Sequence, residues 1–292
     1  MKSLWSDAEA AQFTGPLGAR VYTSRLLGRD KSLVLHGGGN TSVKVREPNL
    51  FGEEEEILYV KGSGWDLETI EEAGFAPVRR GHLVRLAGLD ELSDPRMVNE
   101  MVTHMTRASA PTPSVEAILH AALPHKFVDH THADAVVAVT NTPDGEERVR
   151  RIWGDQVVVI PYVMPGFDLA RLCARIFPRQ AGPQTIGMVL MNHGIFSFGE
   201  TARESYERMI HLVDLAKRYL EARGFKPFFT EWNSADLVKA VTFEVPTRVT
   251  AALLGLPHSA GRPRTACCCA SEPHRHPPCR CRDRGACARS WW

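Results

Sequence analysis

Short apolar runs alternate with stretches of helical spacing along most of this chain. Ser32–His36 and Thr41–Val45 read as strands joined by the glycine loop Gly37–Asn40, and Ile57–Val60 as a further strand closed by Lys61-Gly-Ser-Gly64. Phe127–His132 reads as a strand leading into an apolar helix from Ala133 to Val139. Gln156–Ile160 and Thr185–Met191 are apolar runs of strand length, and Ile195–Phe198 is a hairpin partner for the second. Ser114 is a suitable N-cap for a helix over Val115–Leu123, which Pro124 stops. Tyr206, Met209, Ile210, Val213, Ala216 and Leu220 recur at helical spacing. They predict a long helix from Thr201 to about Ala222, opened by a capping box of Thr201 with Glu204 and closed by Gly224 and Pro227. Phe228–Leu256 reads as a short helix or a linker, and no internal repeat is visible. This alternation is the pattern of an α/β architecture.

Beyond about His258 neither period survives. The segment is Cys-, Arg- and Pro-rich with little else to bury, so residues 258–292 are expected to be disordered and residues 1–257 to form the folded domain. Such a mixture is what out-of-frame translation of a GC-rich gene produces, and the tail reads as a frameshift product. Its Cys and His spacing matches no zinc finger. The tail also disguises the charge of the rest. Seven of the 35 Lys+Arg but only two of the 34 Asp+Glu lie from His258 onward, leaving 28 against 32 in residues 1–257. Neither half makes an electrostatic case for nucleic acid or an anionic membrane. No apolar run approaches the ~20 residues of a membrane span, and Met1–Ala10 lacks the apolar stretch of a secretory signal. Cys173 is the single cysteine before the tail, which suits a reducing, cytoplasmic setting.

Against this background a few residues carry chemistry. His130 and His132 stand two apart near a strand end, so both imidazoles face one side of a sheet. Asp129 and Asp134 lie close enough in sequence to orient a ring. His193 follows a second strand, where α/β proteins gather ligand-binding groups. Three neutral imidazoles can hold zinc and leave a position open for substrate. A short His-x-His match also arises by chance, and His193 alone reads rather as a turn residue before Gly194. Glu116, at a helix start, serves either the helix dipole or as a general base. The loops Gly37–Ser42 and Lys61–Gly64, with Ser114, offer the backbone N–H groups and hydroxyls of a phosphate cradle, although tight turns use glycine just as readily.

Taken together, the stretches Leu35–Lys44, Lys61–Leu67, Val128–Asp134 and Pro161–Asp168 resemble the class II aldolase/adducin family over roughly Leu33 to Leu220. They look closest to the aldolase unit of bifunctional rhamnulose-1-phosphate aldolase/alcohol dehydrogenase proteins. The resemblance implies a three-layer α/β/α sandwich around a central mixed β-sheet. It places the zinc ligands at His130, His132 and His193 and the catalytic acid/base at Glu116. It places phosphate binding at Asn40, Ser63, Gly64 and Ser114, and a substrate-facing tyrosine at Tyr162. Val115 departs from the family pattern where the fuculose-phosphate members carry a second phosphate-binding serine.

The implied activity is zinc-dependent cleavage of a deoxyketose 1-phosphate, rhamnulose 1-phosphate above all, to dihydroxyacetone phosphate and lactaldehyde. The resemblance also implies a homo-oligomer, a tetramer, with its sites near subunit contacts. A sugar-phosphate 4-epimerase of the same fold and a non-catalytic adducin-like interaction module are the competing expectations. The three histidines kept together with Glu116 speak against the module. No G-x-G-x-x-G occurs in the chain, so dehydrogenase activity is not expected of it.

Overall fold

The computed structural model describes residues 1–225. The helix or linker expected at 228–256, the end of the expected 1–257 domain and the expected disordered tail at 258–292 lie outside the described residues.

In chain order the elements are α1 (Asp7–Ala10), α2 (Gly15–Arg29), β1 (Asn40–Pro48), β2 (Glu54–Lys61), β3 (Phe75–Arg79), α3 (Arg80–Leu86), α4 (Asp94–Thr103) and α5 (Ala117–Ala122). There follow β4 (Phe127–Thr131), α6 (Asp134–Thr140), α7 (Gly145–Trp153), β5 (Val157–Ile160), α8 (Phe167–Gln180), β6 (Gly187–Leu190), β7 (Gly194–Gly199) and α9 (Ala202–Glu221). The strands form one seven-stranded sheet in the order β3-β2-β1-β4-β7-β6-β5. Only β5 and β6 run parallel; every other neighbouring pair is antiparallel, so the sheet is mixed.

Side-chain alternation along the strands divides the core in two. Val128, Met188, Leu190, Phe196 and Phe198 pack against α3, α4, α5 and α8 on one face. Val189 and Ile195 pack on the other face against α2, α6, α7 and α9. The result is the expected three-layer α/β/α sandwich; covered on both faces, β6 and β7 are mostly apolar, while β1 and β4 bury polar residues among the apolar ones.

Three local expectations change. Ser32–His36 is a run of turns rather than a strand. The Asp30 carboxylate accepts from both the Ser32 N–H and hydroxyl, at 3.0 and 2.7 Å, and the Asp30 carbonyl accepts from the Leu33 and Val34 N–H groups. These bonds consume the backbone groups a ladder would need, and Leu33 and Val34 are buried as anchors instead. The second change concerns α5, which begins two residues later than expected, with Glu116 rather than Ser114 as its flanking residue. The Ser114 carbonyl accepts from the Ala117 N–H at 2.9 Å, and its hydroxyl lies 3.3 Å from the Glu116 N–H. Third, the Thr201 hydroxyl caps the Glu204 N–H at 3.1 Å as expected, but the Glu204 carboxylate returns to the Glu200 N–H, at 2.7 Å, not to that of Thr201.

Candidate metal centre and active site

The antiparallel contact of β4 with β7, and the tight β6–β7 connection, bring three histidines to one point on the α5 side of the sheet. His130 is in β4 opposite Phe196, and His132 follows the end of that strand. His193 lies in the connection, turned inward after Asn192, whose φ of 57° is left-handed. The crossing needs Gly194: a Cβ there would sit 2.4 Å from the Thr131 carbonyl oxygen. Gly39 (φ +64°) is constrained in the same way, since its Cβ would meet the His130 carbonyl at 2.8 Å.

One ring nitrogen from each of the three histidines lies within 4.8 Å of the other two. Their ring planes are inclined to one another at 60° to 84°, so their lone pairs can converge. His130 donates Nδ1–H to the Ile195 carbonyl at 3.1 Å, which leaves Nε2 as a bare acceptor, 3.0 Å from His132 Nε2. Burial lowers the pKa of all three rings and keeps them neutral. His193 Nδ1 is a buried polar atom without a hydrogen-bond partner. Neutral, converging and under-partnered imidazoles fit a borderline divalent metal. Neither of the expected orienting carboxylates does that job. Asp129 points to the opposite face, where it pairs with Arg20 at 2.5 Å and accepts from the Ser205 hydroxyl. Asp134 opens α6 and makes no hydrogen bond to a ring.

A second group, His82, Glu100 and His104, also has metal-ligand types. There the imidazoles are stacked, with centroids 3.3 Å apart and planes only 5° apart, and Glu100 is 2.9 Å from His82 Nε2. Parallel rings aim their lone pairs along separate planes, so this is a hydrogen-bonded cluster.

Glu116 is buried against His130 and His193. One carboxylate oxygen lies 3.5 Å from His130 Nε2, and the other 3.7 Å from His193 Nε2. Asn40 Nδ2 donates to Oε2 at 2.5 Å, while Oε1 has no hydrogen-bond partner. Burial raises the carboxyl pKa, opposed by His193, Asn40 and Lys61. The side chain makes no helix cap.

The expected phosphate residues gather beside it. Asn40 Nδ2 also donates to Ser114 Oγ at 3.2 Å. The Ser114 N–H donates to the Lys61 carbonyl, and the Ser63 N–H to the Thr112 carbonyl, which ties Lys61–Gly64 to the Ser114 segment. The Gly62, Ser63 and Trp65 amides are thereby spent within the fold. Ser63 and Gly64 (φ +84°) are exposed, and the Ser63 hydroxyl and Gly64 N–H make no hydrogen bond among the described residues. Lys61 Nζ donates to the Gly37 carbonyl at 2.8 Å, and burial draws its pKa down to about 8. Tyr162 is half exposed beyond β5 and, among the described residues, makes no bond to the histidine set; its hydroxyl is 3.9 Å from Met164 Sδ. His120 is the residue that the sequence reading misses. It is fully buried on α5, with one ring nitrogen on Ser42 Oγ at 2.7 Å and the other on Asn40 Oδ1. Its place four residues after Glu116, one helical turn on, was the available signal.

No helix among the described residues is long and apolar enough to cross a membrane. Residues 19–220 match the model of the class II aldolase and adducin N-terminal domain. The solved N-terminal class II aldolase domain of a conserved protein from Thermoplasma acidophilum is 40% identical, with a TM-score of 0.69, over 75% of this chain and 99% of that one. An uncharacterized oxidoreductase of Bacillus subtilis, YuxG, is 34% identical over 76% of this chain. This chain spans 32% of that relative's length, about a third. A methylthioribulose-1-phosphate dehydratase from Picosynechococcus is 22% identical over 60% of this chain and 76% of its own. The family match covers the whole sheet, both helical layers and every residue of the histidine–glutamate cluster: the chain belongs to the class II aldolase/adducin family.

Proposed function

We propose that this chain is a metal-dependent aldolase that cleaves a deoxyketose 1-phosphate, rhamnulose 1-phosphate, to dihydroxyacetone phosphate and lactaldehyde. The observation that carries this reading is a buried, protonatable Glu116 set 3.5 and 3.7 Å from nitrogens of two of three converging neutral imidazoles. Such an array suits proton transfer beside a polarised carbonyl. His130, His132 and His193 would hold the metal, zinc in our reading. Once bound, it supplies Lewis acidity toward the substrate carbonyl.

The chain's own residues do the rest. Asn40, Ser63, Gly64 and Ser114 hold the phosphate, so that orientation is fixed on binding, with Lys61 adding positive charge nearby. As the C–C bond breaks, the hydroxyl beside it gives up its proton to solvent and becomes the aldehyde carbonyl, the bond's electron pair stays on the dihydroxyacetone phosphate side, and Glu116 delivers a proton to that carbon. Tyr162 serves the aldehyde oxygen. Its exposure accords with a place at a subunit contact in a homo-oligomer, a tetramer in our reading. A carboxyl whose pKa is raised by burial keeps its proton nearer neutrality than a free glutamate does.

Coupled detection of dihydroxyacetone phosphate from rhamnulose 1-phosphate, with metal quantified in the same sample, tests the proposal. We expect cleavage and about one zinc-family metal per chain. Glu116→Ala should keep the metal and lose cleavage by about 100-fold or more. Metal well below one per chain, or unchanged Glu116→Ala turnover, would sink the assignment. Water loss, or inversion without aldehyde release, would make the chain a dehydratase or an epimerase instead.

A further inference from the structure

We infer that His120 is a positioning residue: it fixes the Asn40 amide and, through it, the Glu116 carboxylate. The inference rests on the reading of Glu116 as the proton carrier. Asn40 and Ser42 stand two apart on β1 and so share a face. The His120 ring spans them, with Nδ1 at Ser42 Oγ and Nε2 at Asn40 Oδ1. It is fully buried and meets the Phe196 ring edge-on, with centroids 5.3 Å apart. Phe196 in turn stacks on His130, centroids 4.2 Å apart.

The direction of each bond follows from which groups can donate. Glu116 Oε2 accepts from Asn40, so the group facing it is the Asn40 NH2, whose other contact is Ser114 Oγ. Asn40 Oδ1 then faces His120 and can only accept, so His120 Nε2 carries the hydrogen. In a neutral imidazole Nδ1 is then the acceptor, and Ser42 donates to it. The relay runs one way, from the Ser42 hydroxyl through His120 and Asn40 to Glu116. With Glu116 ionised, reversing the amide would set Oδ1 against Oε2 at 2.5 Å, oxygen against oxygen. In the Nε2–H tautomer the His120 N–H penalises that flip from the other side, where it would meet an NH2, so the flip requires the ring to change tautomer and the Ser42 hydroxyl to turn from donor to acceptor.

His120→Gln and His120→Asn separate positioning from bulk structure. The Gln amide reaches where Nε2 stood and can donate to Asn40; the Asn amide reaches only the Nδ1 position, toward Ser42. With metal content unchanged in both, we expect His120→Asn to lower kcat about 10- to 100-fold and His120→Gln to recover to within about fivefold. In an Asn40→Ala background, His120→Asn should cost nothing further. Equal losses in the two variants, or a full additional loss in the Asn40→Ala background, would overturn the relay. A second readout does not need turnover. The Asn40 side-chain amide, assigned in 15N-asparagine-labelled protein by its loss in Asn40→Ala, should give a downfield, slowly exchanging proton in wild type and His120→Gln but not in His120→Asn. If wild type turns over no ketose phosphate, the functional reading fails and this signal alone judges the relay: the same amide signal in all three proteins refutes it.

Discussion

A single methyl group at Gly194 should dismantle the histidine centre without removing any of its ligands. A Cβ there would lie 2.4 Å from the Thr131 carbonyl oxygen, 3.0 Å from His130 Cε1 and 3.1 Å from His132 Cδ2. Carbon and carbonyl oxygen ordinarily meet across strands at about 3.3 Å, so relief needs a movement of about 1 Å. The end of β7 must then retreat from β4, where Ile195 pairs with Thr131, and His193 precedes the moving residue directly. Overpacking of this size costs about 1–3 kcal/mol of stability. Disturbing the groups that orient metal ligands typically costs about 10- to 100-fold in metal affinity, and we expect Gly194→Ala to fall in that range. The assay is competition for metal against a chromophoric chelator, with urea unfolding run in parallel. Gly182→Ala is the control, because a Cβ at Gly182 meets nothing within 4 Å. Wild-type metal affinity in Gly194→Ala would refute the claim that this close approach builds the centre.

Two further predictions concern the fold beneath the site. Burial pushes the Lys44 ammonium from 10.5 down to about 7. The folded pKa lies below the unfolded one, so the cost of burying the charge is fully present below about pH 7 and fades as pH rises toward 10.5. A tenfold change in proton affinity is worth about 1.4 kcal/mol, so replacing Lys44 with Met should stabilise the protein by a few kcal/mol at pH 6 and by less at pH 9.5. A urea-midpoint difference that does not change with pH would contradict this. The Arg20–Asp129 pair is wholly buried, and breaking such a pair costs about 3–5 kcal/mol. Asp129→Asn should show that loss in chemical unfolding, and a loss below about 1 kcal/mol would show that the pair is not a mooring.

What the sequence discloses depends on how local the cause is. β5, β6 and β7 are legible because each is a short, mostly apolar run, and β4 because Phe127 and Val128 open a short buried stretch that carries Asp129 and His130. The expected strand at 32–36 fails because the Asp30 side chain offers its backbone a local alternative, which apolar spacing does not register. Helix α2 leaves little periodic trace for a related reason: it buries Arg20, Thr23 and Ser24 along with Val21, Tyr22, Leu26 and Leu27. At the site, the residues that the resemblance implied at His130, His132, His193 and Glu116 do converge in space, and Asn40 and Ser114 join Glu116. His120 was hard to see because its partners lie 78 and 80 residues away. Its neighbours Ile118, Leu119, Ala121 and Ala122 are apolar, and only its spacing of one helical turn from Glu116 hinted at a polar purpose.

Asp129 shows why strand alternation outweighs closeness in sequence. It adjoins His130, yet the two side chains leave β4 on opposite faces. His130 faces α5 and the site; Asp129 faces α2 and α9, where Arg20 and Ser205 bind it. The ion pair therefore cannot orient the ring by hydrogen bonding. It acts on the strand instead. β4 is held from below by a buried charge pair and laterally by β1 and β7, so the His130 backbone has little freedom to follow its side chain. A side chain on such a strand keeps its position whether or not a metal is bound, which is the preorganisation that the proposed metal centre needs. That argument yields a sharper outcome for Asp129→Asn than a stability loss alone. At temperatures where the variant remains folded, its metal affinity should fall as well, although the Asp129 side chain bonds to none of the three imidazoles and to neither of the loops Gly37–Ser42 and Lys61–Gly64. Unchanged affinity in a folded but destabilised variant would show that the strand is held by its neighbours alone.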